Sequence, residues 1–255
     1  MMEQPVVDNE RSMPFLDHLT ELRKRLIVCI VAVAAGFVIS YAFSEQIFQI
    51  IVSPVRQGLP EGSTLIFIGV TEAFMTYIKV AFISGITISM PVILYEIWFF
   101  VAPGLYAYEK KYVLPFMIVS LLSFAGGLFF CYFLVLPPAA KYLLSGYSSE
   151  FVKAMPTMRE ALSLSVILLF AFGLTFELPL VMLLLGRFGF INSKMLSKYR
   201  KYAVVVIFVA AAIITPTSDA ITLFLMAGPL WILYELGLLL VWLFGKKKQP
   251  EVPHE

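Results

Sequence analysis

Apolar residues in this chain gather into six long runs, at roughly 26–43, 76–98, 113–136, 162–186, 202–214 and 220–244. A helix rises about 1.5 Å per residue, so about 20 apolar residues are needed to cross a ~30 Å hydrocarbon core. The pattern predicts an all-α membrane protein with six transmembrane helices. Just ahead of the first run, Phe15, Leu19, Leu22 and Leu26 fall at i, i+4, i+7 and i+11, one stripe of a helix. The other faces of that stretch carry Asp17, His18, Glu21, Arg23, Lys24 and Arg25. Such a helix can lie at the membrane–water boundary and then turn into the bilayer. The expected organisation is one membrane domain over 1–255: an amphipathic cytoplasmic segment at 1–25, a six-helix bundle at 26–244 and a cytoplasmic tail at 245–255.

The polar connectors orient the bundle. With the N-terminus inside, fourteen cations fall on inside segments and five (Arg56, Lys79, Lys141, Lys153, Arg159) on outside ones. By the positive-inside rule both termini are cytoplasmic and the chain crosses the membrane six times. The first outer connector, about 44–75, contains Ser53-Pro54 and Leu59-Pro60-Glu61-Gly62 and reads as turn chemistry. Within it Leu65–Val70 is apolar but too short to span, so it is expected to lie against the outer face. A second outer connector, about 137–161, begins at Pro137-Pro138.

The fifth run, 202–214, spans only about 20 Å by helix rise. Thr215–Asp219 forms a turn after it, and the sixth run meets Glu235 early. Two arrangements fit: short helices spanning a locally thinned bilayer, or a re-entrant hairpin. The short spanning pair, 202–214 and 220–236, is the favoured one.

Composition agrees with the pattern. The chain is 60% hydrophobic and 14% charged, where soluble domains carry about 25% charge. Nine charged residues before position 26 argue against a cleavable leader there. Cys29 and Cys131 sit inside apolar runs and read as small buried residues. His18 and His254 are the only histidines, so a protein-built zinc site is not expected. No nucleophile-elbow, zincin or phosphate-loop motif occurs, and neither catalysis nor a cofactor is expected.

Three acids need a reason. Glu177 lies in an apolar run ten residues before Arg187, about 15 Å deep by helix rise. A charged carboxylate at such depth costs about 2.5–3.5 kcal/mol on insertion scales, and no cation stands at i±3 or i±4. Pro179 cannot donate to the Thr175 carbonyl, so a kink is expected beside the acid. The acid reads either as a protonated group hydrogen-bonded within the bundle or as a contact for substrate, proton or partner helix. Glu109, in the first inside connector, has no cation at helical spacing. Glu21 has Lys24 and Arg25 at i+3 and i+4, so a surface ion pair is its simplest reading. Trp98, Trp231, Tyr234 and Trp242 fall near run ends and read as interfacial aromatics. Lys246–Lys248 reads as a stop with an attraction to anionic lipid.

Taken together, four stretches resemble the TatC family, the multispanning core of the twin-arginine protein translocase. They are Phe15-x-x-His18-Leu19-x-Glu21-Leu22-Arg23-x-Arg25, Ala102-Pro103-Gly104-Leu105-Tyr106-x-x-Glu109, Phe172-Gly173-x-x-Phe176-Glu177-x-Pro179, and Thr215-Pro216 through Asp219. They occur in the family's order over about Met13–Phe244. The resemblance implies a receptor in the cytoplasmic (inner) cell membrane, not an enzyme, that binds the twin-arginine signal peptide of folded proteins and recruits single-span TatA/TatB-type partners. It implies that Glu21 and Glu109, with Phe100 and Arg23 nearby, meet the arginine pair. It matches Glu177 and Pro179 to the intramembrane polar position, Pro54 and Asp219 to the outer caps, and helices 202–214 and 220–236 to the partner-docking edge. A homo-oligomer within the receptor complex is implied too, and no nucleic-acid partner. Ser218 and Leu223 stand where the family usually has proline and glutamine. Guanidinium forks engage carboxylates bidentately and lysine does not, which gives paired glutamates a physical preference for Arg-Arg. Two other classes compete: a proton-coupled carrier working through Glu177, which calls for paired broken helices in two halves, and an intramembrane enzyme, which calls for a nucleophile–base or metal pair.

Overall fold

The computed structural model describes residues 15–60, 62–101, 113–146, 154–214 and 220–245. Among them the regular structure is helical apart from one isolated bridge. The helices are α1 (Phe15–Ala42), α2 (Ser44–Gln57), α3 (Glu72–Val101), α4 (Val113–Phe130), α5 (Leu136–Ser145), α6 (Met158–Thr175), α7 (Leu178–Arg187), α8 (Ser193–Ile214) and α9 (Ala220–Phe244). A π-helical turn, Cys131–Val135, joins α4 to α5. The bundle has a basic end, where Arg23–Arg25 of α1 lie, and an opposite end, where α2 packs.

Its burial pattern is that of a membrane protein. Val38, Ile39, Phe129, Phe133, Ile213 and Trp242 are all more than half exposed, whereas Ser40, Thr76, Ser89, Ser120 and Ser165 are buried. Five described stretches are long and apolar enough to cross a membrane: His18–Ala42, Glu72–Phe100, Leu114–Ser145, Met158–Arg187 and Thr222–Phe244. The fifth expected crossing, within α8, is not among them because its first turns carry Lys194, Lys198, Arg200 and Lys201. An apolar stretch of 13 residues at 202–214 remains, compatible with six crossings. The sixth run, 220–244, is a single helix, α9, of 25 residues around Pro229, which extends past the 220–236 of the short spanning pair.

Small residues set the closest packing. α1 and α3 run antiparallel, and a Cβ placed on Gly36 would lie 2.6 Å from the Gly85 carbonyl oxygen. The Ser89 hydroxyl donates to the Ala32 carbonyl across the same seam at 2.8 Å. α4 meets α6 in the same way, a Cβ on Gly127 falling 2.6 Å from the Phe172 carbonyl. Lipid is as apolar as leucine, so helices in it associate through close backbone approach and hydrogen bonds rather than through hydrophobicity.

Two expectations for the outer connectors are corrected. Residues 44–57 form helix α2, with Phe48, Val52, Pro54 and Val55 buried, so Pro54 is packed inside a helix and is not a turn residue. Proline there removes the hydrogen bond that would satisfy the Ile50 carbonyl. The Tyr132 hydroxyl supplies it instead, at 2.9 Å. Pro137-Pro138 likewise do not begin a loop. They sit in the first turn of α5, where the π turn accommodates their missing donors and the helix continues to Ser145. Trp98 is a third correction: it is buried against Phe116 (ring centroids 5.4 Å apart), together with Met90 and Leu94, so it is a core residue.

At the opposite end Leu65–Val70 is held by a single parallel bridge between Ile66 and Thr157. Glu72 caps it, its carboxylate accepting from the Ile68, Gly69 and Arg159 amides. Phe67, Ile68 and Val70 point outward and are exposed.

Candidate functional site

The antiparallel seam of α1 and α3 brings three charged groups together at the basic end. Arg25 donates from Nε to Glu21 Oε1 at 3.0 Å and from Nη1 to Glu96 Oε2 at 2.9 Å. Its Nη2 also reaches Glu21 Oε1. The first contact is the i, i+4 pair expected from the sequence, and the second ties α1 to α3. The three side chains are only 21%, 22% and 12% exposed for Arg25, Glu21 and Glu96 respectively, so the cluster is partly withdrawn from water. Aromatic faces flank it. The Arg25 guanidinium carbon lies 5.6 Å from the Phe99 ring centroid, and His18 stacks on Phe100 at 4.4 Å. Arg23 is exposed.

Of the residues expected at this face, Glu21 is paired with Arg25 and Phe100 stacks on His18, one turn before Glu21 on α1, while Arg23 is exposed on another face of that helix. Glu109 lies outside the described residues. Glu96 was not anticipated. Its signal was available: a lone carboxylate in the apolar run 76–98, one turn from the end that α1 must face.

The second acid is inside the bundle. α6 ends at Thr175 and α7 begins at Leu178, with Glu177 between them and Pro179 in the first turn of α7. The helix therefore breaks where Pro179 cannot donate to Thr175. Glu177 Oε2 accepts from the Ser120 hydroxyl of α4 at 2.7 Å. Its Oε1 is buried and has no hydrogen-bond partner among the described residues. No cation reaches Glu177 within salt-bridge distance there.

The edge formed by α8 and α9 is held at its basic end. Arg200 donates to Glu235 at 2.9 Å, and the Tyr234 hydroxyl donates to the Leu196 carbonyl at 2.9 Å. Further along, Phe208 meets Phe224 edge to face at 5.4 Å. Val205, Val206, Val209, Ile213, Phe224 and Ile232 are all more than half exposed. Asp219 lies outside the described residues. Among those described, no group of three or more His, Cys, Asp or Glu could hold a metal ion.

What fold and site define together is a multispanning helical membrane protein with an acid–guanidinium cluster at one face and a solitary acid at a helix break within. A family model described as "Sec-independent protein translocase protein (TatC)" matches residues 17–229. The TatC protein of Desulforapulum autotrophicum is 45% identical over 242 residues, covering 95% of this chain and 89% of that one. That of Aquifex aeolicus is 39% identical over 238 residues, covering 93% and 98%. A crystal structure of the twin-arginine translocase receptor TatC superposes with a TM-score of 0.78 at 39% identity, covering 88% of this chain and 97% of that one. A second crystal structure, of the receptor in the detergent DDM, gives a TM-score of 0.79 at 38% identity over 90% and 100%. The chain belongs to the TatC family: it is a component of a protein translocase and a transport protein, not an enzyme.

Proposed function

We propose that this chain is the receptor subunit of a twin-arginine translocase and that its basic end faces the cytoplasm in an inner membrane. The observation that carries this reading is the Arg25 cluster. Two carboxylates from two helices, Glu21 and Glu96, already hold a guanidinium between them beside the Phe99 and Phe100 rings. A site that binds one guanidinium with forked hydrogen bonds and an aromatic face has the chemistry to bind the pair in an Arg-Arg signal peptide. Glu21 and Glu109 take the peptide arginines, with Phe100 and Arg23 at the rim.

Glu177 is the polar contact inside the membrane, with Pro179 holding the helix open beside it. The exposed apolar faces of 202–214 and 220–236 are the docking edge for single-span TatA/TatB-type partners. Pro54 and Asp219 belong to the outer caps, and copies of the chain associate in the receptor complex.

The test is binding of the purified, detergent-held protein to an Arg-Arg signal peptide against its Lys-Lys twin, with wild type and with Glu21→Ala plus Glu109→Ala. Preference for Arg-Arg in wild type and its loss in the variant is the expected result. Equal binding of both peptides by wild type overturns the reading.

A further inference from the structure

The Arg25 fork supports an inference that rests on the receptor reading above and specifies how the site is kept before a peptide arrives. We infer that Arg25 is an internal occupant of the signal-peptide site, and that Glu96 is the positioning residue that retains Arg25 when a peptide arginine takes Glu21.

Arg25 straddles two carboxylates, using Nε and Nη2 on Glu21 and Nη1 on Glu96. A peptide arginine arriving at Glu21 carries the same group that Arg25 already presents there. Both Arg25 donors fall on Glu21 Oε1, so a peptide arginine that forks across both oxygens of that carboxylate displaces Arg25 from Oε1. Without a second acid, that displacement strands a guanidinium only 21% exposed, and unpaired charge in such a setting is strongly disfavoured. Glu96 removes the obstacle. Its carboxylate is 2.9 Å from Nη1, on the neighbouring helix, so Arg25 moves fully onto α3 and both guanidiniums end paired with one carboxylate each. The frame need not move, because Gly36 against Gly85 and Ser89 on Ala32 hold α1 to α3 further along. The exchange is fork for fork. A lysine delivers a point charge in place of the planar donors that Arg25 gives up, so it is a poorer exchange partner.

The test is a double-mutant cycle read by peptide affinity: wild type, Glu96→Gln, Arg25→Gln and the double variant, each as the full chain in detergent. Glu96→Gln leaves Arg25 with Glu21 alone and weakens Arg-Arg peptide binding about tenfold, the size of one charge-assisted hydrogen bond. Removing Arg25 as well frees Glu21, so the double variant recovers to within about threefold of wild type. A merely structural Glu96 gives the opposite: the double variant binds no better than Glu96→Gln. That outcome, or wild-type affinity in Glu96→Gln, overturns the inference while leaving the receptor reading standing. Wild-type protein with no Arg-Arg preference overturns both. Should Glu96→Gln fail to give monodisperse protein, Glu96→Asp keeps the charge on a shorter arm, and the inference requires a loss that Arg25→Gln again repairs.

Discussion

Two acids in this bundle are handled in opposite ways. Glu21 stands near the basic end, where a cation one helical turn away, a second acid on the neighbouring helix and two aromatic rings surround it. Glu177 stands at a helix break where, among the described residues, one hydroxyl is its partner and one oxygen is unbonded. The first arrangement holds one guanidinium between carboxylates from two helices. The second offers a single polar point in apolar surroundings, which suits a neutral or transient contact with a passing helix. The cluster gathers three charged groups at one end of the bundle, whereas the break carries one acid with a hydroxyl beside it.

The widest separation of the two comes from breaking the frame of only one. Gly36→Val puts side-chain atoms into the α3 backbone at Gly85, where nothing can yield, and overpacking of this kind costs about 3 kcal/mol. Thermal unfolding in detergent should fall accordingly and Arg-Arg peptide binding should be lost, while the Glu177–Ser120 contact between α4 and the α6–α7 break is untouched. Arg25→Ala acts next. It leaves Glu21 and Glu96 facing each other without their cation, a loss of about 1 kcal/mol once the partial exposure of the pair is allowed for. Unfolding of Arg25→Ala against Arg25→Ala/Glu96→Gln measures that repulsion, since removing the second charge should restore most of the stability.

How much of this was legible in the sequence follows from what each signal depends on. The run lengths and the inside–outside bias of cations depend on the chain's own composition, so the helical membrane fold and the short apolar part of α8 could be read directly. Glu177 and the break at Pro179 could be read too, because the proline acts on a carbonyl four residues away. Pro54 and Pro137-Pro138 misled for the converse reason. Their missing donors are accommodated by Tyr132 across the bundle and by a π turn, neither of which local spacing reveals. Glu96 was missed because its meaning lies in Arg25, 71 residues away. Trp98's position near the end of its run reads as interfacial, yet the start of α4 covers it.

The remaining tests sharpen the second acid. Glu177→Ala removes a carboxylate that has no cation within salt-bridge distance among the described residues, so insertion and folding should survive, with protein transport and cross-linking to a single-span partner reduced. Wild-type transport together with wild-type cross-linking in that variant removes the functional role for Glu177.

Ser120→Ala should have the smallest effect. Hydrogen bonds between helices in a bilayer average about 0.6 kcal/mol, because a side chain released there finds other partners. A stability loss of that size, with transport intact, would mean that Ser120 only steadies Glu177 and that the carboxyl group itself makes the contact. If Ser120→Ala instead impairs transport as strongly as Glu177→Ala, the hydroxyl and the carboxyl act as one unit. The contrast with the Arg25 cluster would then narrow, since both acids would depend on a partner from a neighbouring helix to hold them in place.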